Sequence, residues 1–211
     1  MPKVRLLPEP KHRVRWITRE EADELLQKLP AHLAEMVRFS LATGLRLRNV
    51  THLEWSNVDL SRRVAWVHAD QAKNRKPLGV PLNVEAVTVL RRQEGKHPRY
   101  VFAYRDHAPV AQANGEAWRE AVRRAGLRDF RWHDLRHTWA SWHAQAGTPL
   151  HALQELGGWE TAAMVRRYAH LAPEHLAEHA ERIARPRLVQ TGDVFATSSS
   201  ASNNEGTTKA K

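Results

Sequence analysis

The chain has 211 residues, with 33 Lys and Arg against 23 Asp and Glu, a formal charge of +10 and a pI near 10.5. That length suits one well-cored domain, and the positive excess points to a polyanionic partner, nucleic acid first among them. No cysteine occurs, which excludes a disulfide framework, a thiolate zinc site and a cysteine nucleophile; with no apolar run near membrane-span length and no hydrophobic signal region, the expectation is a soluble cytoplasmic protein without a membrane partner.

Residues 1–13 are Pro-rich and basic and read as a linker end. Thr18 followed three residues later by Glu21 is a capping box, and Leu25, Leu26 and Leu29 give the helix after it an apolar face that Pro30 closes. A second helix is predicted over 31–42, ended by Thr43-Gly44, since glycine suits a C-terminal cap. Arg46 follows between Leu45 and Leu47, before a short helix ending near Trp55. An arginine in apolar company is buried only if it is paired or binds an anion. Residues 64–67 and 78–81 read as strands joined by a polar, hairpin-like connection carrying Lys73 and Lys76. Asn83 caps a helix to about Gly95, residues 100–102 read as a short edge strand, and 112–125 as a helix closed by Gly126.

The next helix is predicted over 132–146. It places His133 and Arg136 three residues apart, hence on one face. Thr148 is expected to cap the following helix, with Pro149 at its first position, and Leu150, Leu153 and Leu156 form its buried stripe. Gly157-Gly158 breaks that helix before Trp159, and Thr161 is expected to cap the helix that carries Tyr168. Trp159 and Tyr168 would sit on opposite faces of one straight helix, so they converge only if Trp159 precedes the helix start. An imidazole, a guanidinium, an indole donor and a phenol at this spacing suggest chemistry on a phosphate. A last amphipathic helix is read over 173–183. Residues 186–211, rich in Ser, Thr, Asn and Gly, read as a disordered tail.

Five segments together resemble the catalytic domain of the tyrosine recombinases, the phage integrase family. They are Ala42-Thr-Gly-Leu-Arg46 with Leu53-Glu-Trp55; Ala72-Lys73 ahead of Pro81; His133-Asp-Leu-Arg-His137; Leu156-Gly-Gly-Trp159; and Arg167-Tyr168-Ala-His170. Each alone is weak, but all five stand in the family's order. The resemblance implies an α+β, mostly helical domain over 14–185 with a small antiparallel sheet. It implies that Arg46 and Arg136 hold the non-bridging oxygens of a scissile DNA phosphate, and that Trp159 donates its indole N–H there. Lys73 would protonate the leaving 5′ oxygen, and His133 would accept a proton near the nucleophile. Tyr168 would attack phosphorus to form a 3′-phosphotyrosyl link. Fixed cations stabilise charge developing on the equatorial oxygens, so neither metal nor cofactor is called for. The implied partner is double-stranded DNA, bound as a tetramer on synapsed DNA by a full-length protein and as a monomer by the isolated domain.

Two features depart from the family pattern. Asn49 stands where an acidic residue is usual, and only a short segment precedes the first helix, so a catalytic-domain fragment is expected. Two other readings compete. One is a DNA-binding module without catalysis. The other is a metal hydrolase, because His133 and His137 flank Asp134 much as in HExxH, with His143 or His151 as third ligand.

Overall fold

The structure, a computed structural model, describes residues 14–68, 77–104, 110 and 112–171. The linker at 1–13, Lys73 and Lys76, the helix read over 173–183 and the tail at 186–211 lie outside the described residues. Helix α1 (Arg19–Lys28) starts at the expected capping box: the Glu21 amide donates to Thr18 Oγ1 at 3.2 Å, and the Thr18 amide donates to Glu21 Oε2 at 2.8 Å. Leu25 and Leu26 are buried, and the chain turns extended at Leu29 ahead of Pro30. Helix α2 (Ala31–Thr43) is buried along most of its length and packs against the helices later called α4 and α6. Helix α3 (Leu47–Thr51) follows at once.

The sheet has the order β1 (Val58–Asp59), β2 (Val64–Val67), β3 (Leu78–Pro81), all antiparallel, with Val64 opposite Pro81 and Val67 opposite Leu78. Both long strands fall where the sequence places them. Residues 100–102 form only an isolated antiparallel bridge between Tyr100 and Glu54, not an edge strand. Helix α4 (Val84–Gln93) begins as expected, the Ala86 amide donating to Asn83 Oδ1 at 2.9 Å. Helix α5 (Glu116–Arg124) starts four residues later than read, behind the N-cap Gly115, which has no side chain to cap it.

Helices α6 (Asp134–Gln145), α7 (Leu150–Gly157) and α8 (Ala162–Arg166) complete the fold. Thr148 does not cap α7: Pro149 takes the N-cap position and Thr148 Oγ1 lies 3.0 Å from His143 Nδ1. Thr161 occupies the N-cap of α8 but makes no capping bond. That helix ends at Arg166, so Tyr168 follows it in a turn. Among the described residues no helix is long and apolar enough to cross a membrane.

The buried apolar residues form two clusters. The larger runs from Ile17 through Phe39 and Leu90 to Leu135 and joins α1 to the start of α6. The smaller contains Trp139, Ala140, Ala144, Leu153, Val165 and Tyr168, and joins α6 to α7 and α8. Helix α6 therefore serves both. Two bonds fasten the entering chain to it: the Ile17 amide donates to Thr138 Oγ1 at 3.2 Å, and Trp142 Nε1 donates to Ile17 O at 3.0 Å.

Gly44 is a tight point of this packing. It closes α2 with φ +65°, and a Cβ there would overlap the Trp139 indole. The left-handed backbone costs an L-residue about 1 kcal/mol, and overpacking adds about 1–3 kcal/mol. Gly44→Ala is expected to lower the unfolding free energy by about 2 kcal/mol or more, measured by urea denaturation. A loss within a few tenths would show that the Trp139 contact is not tight.

Candidate active site

Arg136 projects from the first turn of α6 into the space between α2 and α7. Its Nη1 donates to Gly44 O at 2.7 Å and its Nη2 to Gly157 O at 2.5 Å. The Trp159 ring covers it, with Cζ 4.3 Å from the ring centroid. The residue is 5% exposed. Burial, and then the charge of Arg46, bring the guanidinium down to about 10. It stays a cation at neutral pH, held by two carbonyl dipoles and an aromatic face.

Local sequence accounts for both carbonyls. Gly44 turns the chain left-handed after α2, and Gly157 ends α7 where a Cβ would collide with the Trp159 indole. Truncating Arg136 would thus release two backbone turns as well as remove a charge.

Arg46 stands at the N-cap of α3, half-buried, with no hydrogen-bond or ion-pair partner among the described residues. Burial lowers its pKa. It is shared by two clefts: one of about 210 Å³, lined also by Arg131, His133 and Arg136, and one of about 260 Å³, lined also by Asn49, Leu78 and Trp159. Strands β2 and β3 meet this second cleft at Val67 and Leu78, the ends from which the connection carrying Lys73 departs and to which it returns. Asn49, the departure from the family pattern, is buried there beside Arg46.

Trp159 lies between α7 and α8, before the α8 start, as convergence with Tyr168 requires. Its ring is 6.0 Å from that of Tyr168 and stacks on Trp139 at 5.9 Å. The contact with Arg136 uses the ring face, whereas the expectation concerned the indole N–H.

Tyr168 is 1% exposed within the smaller cluster. Its hydroxyl lies 2.5 Å from His137 Nδ1. His133, the imidazole singled out from sequence, is the exposed N-cap residue of α6, and its ring meets His137 edge-on with centroids 5.1 Å apart. Burial pushes the Tyr168 phenol up to about 12; Arg167 and Arg136 act in the opposite direction but less. Desolvation outweighs the neighbouring positive charge at this phenol. Burial, followed by the charges of His133, Arg167 and Arg136, brings His137 down to about 4. At neutral pH both partners are uncharged.

Sequence reasoning thus brings Arg46, His133, Arg136, Trp159 and Tyr168 to one region, while Lys73 lies outside the described residues. It misses His137, which was weighed only as a metal ligand. The available signal was its spacing: one residue beyond Arg136 and one turn beyond His133. Among the described residues no group of three or more His, Asp and Glu is placed to hold a metal ion. His143, offered as a third ligand, faces Thr148 and Trp139.

The architecture is similar to the catalytic domain of bacteriophage HP1 integrase, with a TM-score of 0.63 at 26% identity, covering 80% of this chain and 95% of that one. The fold is also shared with the Tn1549 transposon integrase, with a TM-score of 0.70 at 20% identity, covering 84% and 68% of the two chains. Residues 15–175 match the phage integrase family, and the chain belongs to it. The integrase of Salmonella phage P22 is 46% identical over 219 aligned residues, which take in 95% of this chain and 54% of that protein. This chain therefore spans about half the length of the P22 protein.

The burial of His137 has a measurable consequence. The unfolded chain binds a proton at this residue near the usual 6.5, the folded chain only near 4. Between those values the unfolded state holds more protons, so stability should fall as pH drops from about 6.5 toward about 4. Nitrogen-15 NMR of the histidine rings should show His137 neutral at pH 6. A midpoint near 6.5 for His137 in the folded protein would contradict its buried setting.

Proposed function

We propose that this domain cleaves and rejoins double-stranded DNA through a 3′-phosphotyrosyl intermediate at Tyr168. The observation that carries the reading is the pairing of Arg46 with Arg136. The two guanidiniums are close enough for one to depress the other, and neither has an ion-pair partner among the described residues. Two partly desolvated cations side by side repel each other, and an anion between them removes both penalties. A phosphodiester is the anion that a basic chain beside a phenol is suited to take.

In this reading Arg46 and Arg136 hold the non-bridging oxygens, met along the cleft they share with His133. Trp159 closes the opposite side and donates its indole N–H as the transition state forms. Lys73 delivers a proton to the leaving 5′ oxygen. Charge building on the equatorial oxygens is offset by cations already in place, and the covalent ester conserves the bond energy for rejoining. His133 lies at the cleft mouth, positioned for a proton or a phosphate oxygen. The isolated domain is a monomer, and a longer protein carrying it assembles as a tetramer on synapsed duplexes. The Tn1549 integrase was solved in complex with DNA, and the high identity to the P22 integrase supports integration chemistry for this chain.

A nicked duplex that loses a short 5′-hydroxyl fragment on cleavage traps the intermediate. The wild-type domain should form an adduct stable to boiling in detergent. Tyr168→Phe should abolish it while leaving duplex affinity unchanged. Affinity should fall steeply with salt, because each phosphate contact releases counterions. An adduct retained in Tyr168→Phe would assign the nucleophile elsewhere. Salt-sensitive DNA binding without any wild-type adduct would favour the non-catalytic binding module.

A further inference from the structure

We propose that His137 is a catalytic residue of the cleavage step, taking the phenolic proton from Tyr168 through Nδ1 as the phenol oxygen attacks phosphorus. The proposal rests on the phosphotyrosyl reading above and assigns it a proton acceptor.

Geometry carries the assignment. Tyr168 is 1% exposed, so its proton cannot pass directly to bulk water. Its hydroxyl lies 2.5 Å from His137 Nδ1, and that imidazole is its side-chain partner among the described residues. The distance is within the reach required of a general base. With the ring proton on Nε2, Nδ1 offers a lone pair to the phenol. His133, which the family resemblance suggests for this role, stands one turn away at the mouth of the cleft, with its ring packed edge-on against His137.

Four groups face His137: His133 and Arg136 from its own helix, and Arg167 and Tyr168 from the segment after α8. The positive charges among them weaken its basicity in the resting protein. A phosphodiester held between Arg46 and Arg136 cancels part of that field, and an anion nearby favours the protonated imidazole. The base therefore strengthens when substrate arrives and stays weak before.

The step balances without further reagents. The phenol O–H bond breaks and an N–H bond forms at Nδ1. The Tyr168 oxygen bonds to phosphorus, and the bond from phosphorus to the 5′ oxygen breaks. The 5′ oxygen leaves with the electron pair and takes a proton from a separate acid, the role given above to Lys73. On rejoining, the His137 imidazolium returns its proton to the departing phenolate.

The test compares wild type with His137→Asn on the nicked duplex. Asn can place Oδ1 near the position of Nδ1, which keeps a hydrogen-bond acceptor but removes the base. The adduct rate should fall by about 10²-fold or more, with duplex affinity and thermal midpoint close to wild type. Equal rates in the two proteins would overturn the role of His137 while leaving the phosphotyrosyl reading intact. Absence of an adduct in wild type would overturn both. A second measurement needs no variant and covers the case in which His137→Asn fails to fold. The wild-type rate should fall at low pH with the midpoint at which the His137 ring titrates by NMR in the protein bound to intact duplex. A rate that stays flat through that titration would overturn the proposal.

Discussion

The buried guanidinium of Arg136 is the constraint on which the rest of the site depends. A charge at this depth is tolerated only with its donors satisfied, and two carbonyls from distant parts of the chain satisfy two of them. Gly44 closes α2 and Gly157 closes α7, so one side chain from α6 fixes three helices relative to one another. Helix α6 in turn supports both apolar clusters. The position of Tyr168 follows from this, because α8 and the turn after it pack on α7 and α6. The same guanidinium that the proposed function assigns to a phosphate is thus a structural tie, and site and fold cannot be altered independently there.

Burial acts on four titratable groups of the site, in directions set by charge type. It lowers the two guanidiniums and His137, and raises the Tyr168 phenol. The neutral forms of His137 and Tyr168 are therefore favoured together, and their hydrogen bond joins two uncharged groups. Neighbouring cations push the two in opposite senses: they oppose a charged imidazole and favour a phenolate. Desolvation dominates at both. The resting pair is chemically quiet, although phenol and imidazole are already in contact.

Elements governed by short-range physics were legible in the sequence. The Thr18–Glu21 capping box, the Asn83 cap, the Gly44 stop and the β2–β3 pair each depend on residues close in the chain or on simple alternation. The misreadings share another cause. Thr148 and Thr161 have the right chemistry for caps, but Thr148 found His143 instead, and Thr161 makes no capping bond. The edge strand at 100–102 shrank to one bridge because only Tyr100 pairs with Glu54. In the site, side-chain types and spacing pointed to His133, Arg136, Trp159 and Tyr168, and the family resemblance added Arg46 and Lys73. The contact between His137 and Tyr168 was not legible, since 31 residues separate them and only the docking of α7 and α8 on α6 brings them together. The face-on cover of Trp159 over Arg136 is hidden for the same reason.

The placement of Trp159 bears on how such a site stays selective. Its ring lies on Arg136, on Trp139 and near Tyr168 at once. An indole covering a guanidinium contributes a cation–π attraction worth more when desolvated, and it keeps water from the buried side of the charge. A small anion in solvent gains little by displacing that ring, because it must give up its own hydration for one partly covered cation. A phosphodiester in a duplex is delivered with neighbouring phosphates, whose contacts with a basic surface add to the binding free energy. Those remote contacts can offset the cost of opening the aromatic cover. Arg46, half-buried and without a described partner, is the cation such a duplex would meet first, and Arg136 beneath the indole the second. Under the proposed function, two cations at different depths, one open and one covered, would make the site respond to a phosphate held in place by its polymer rather than to free phosphate.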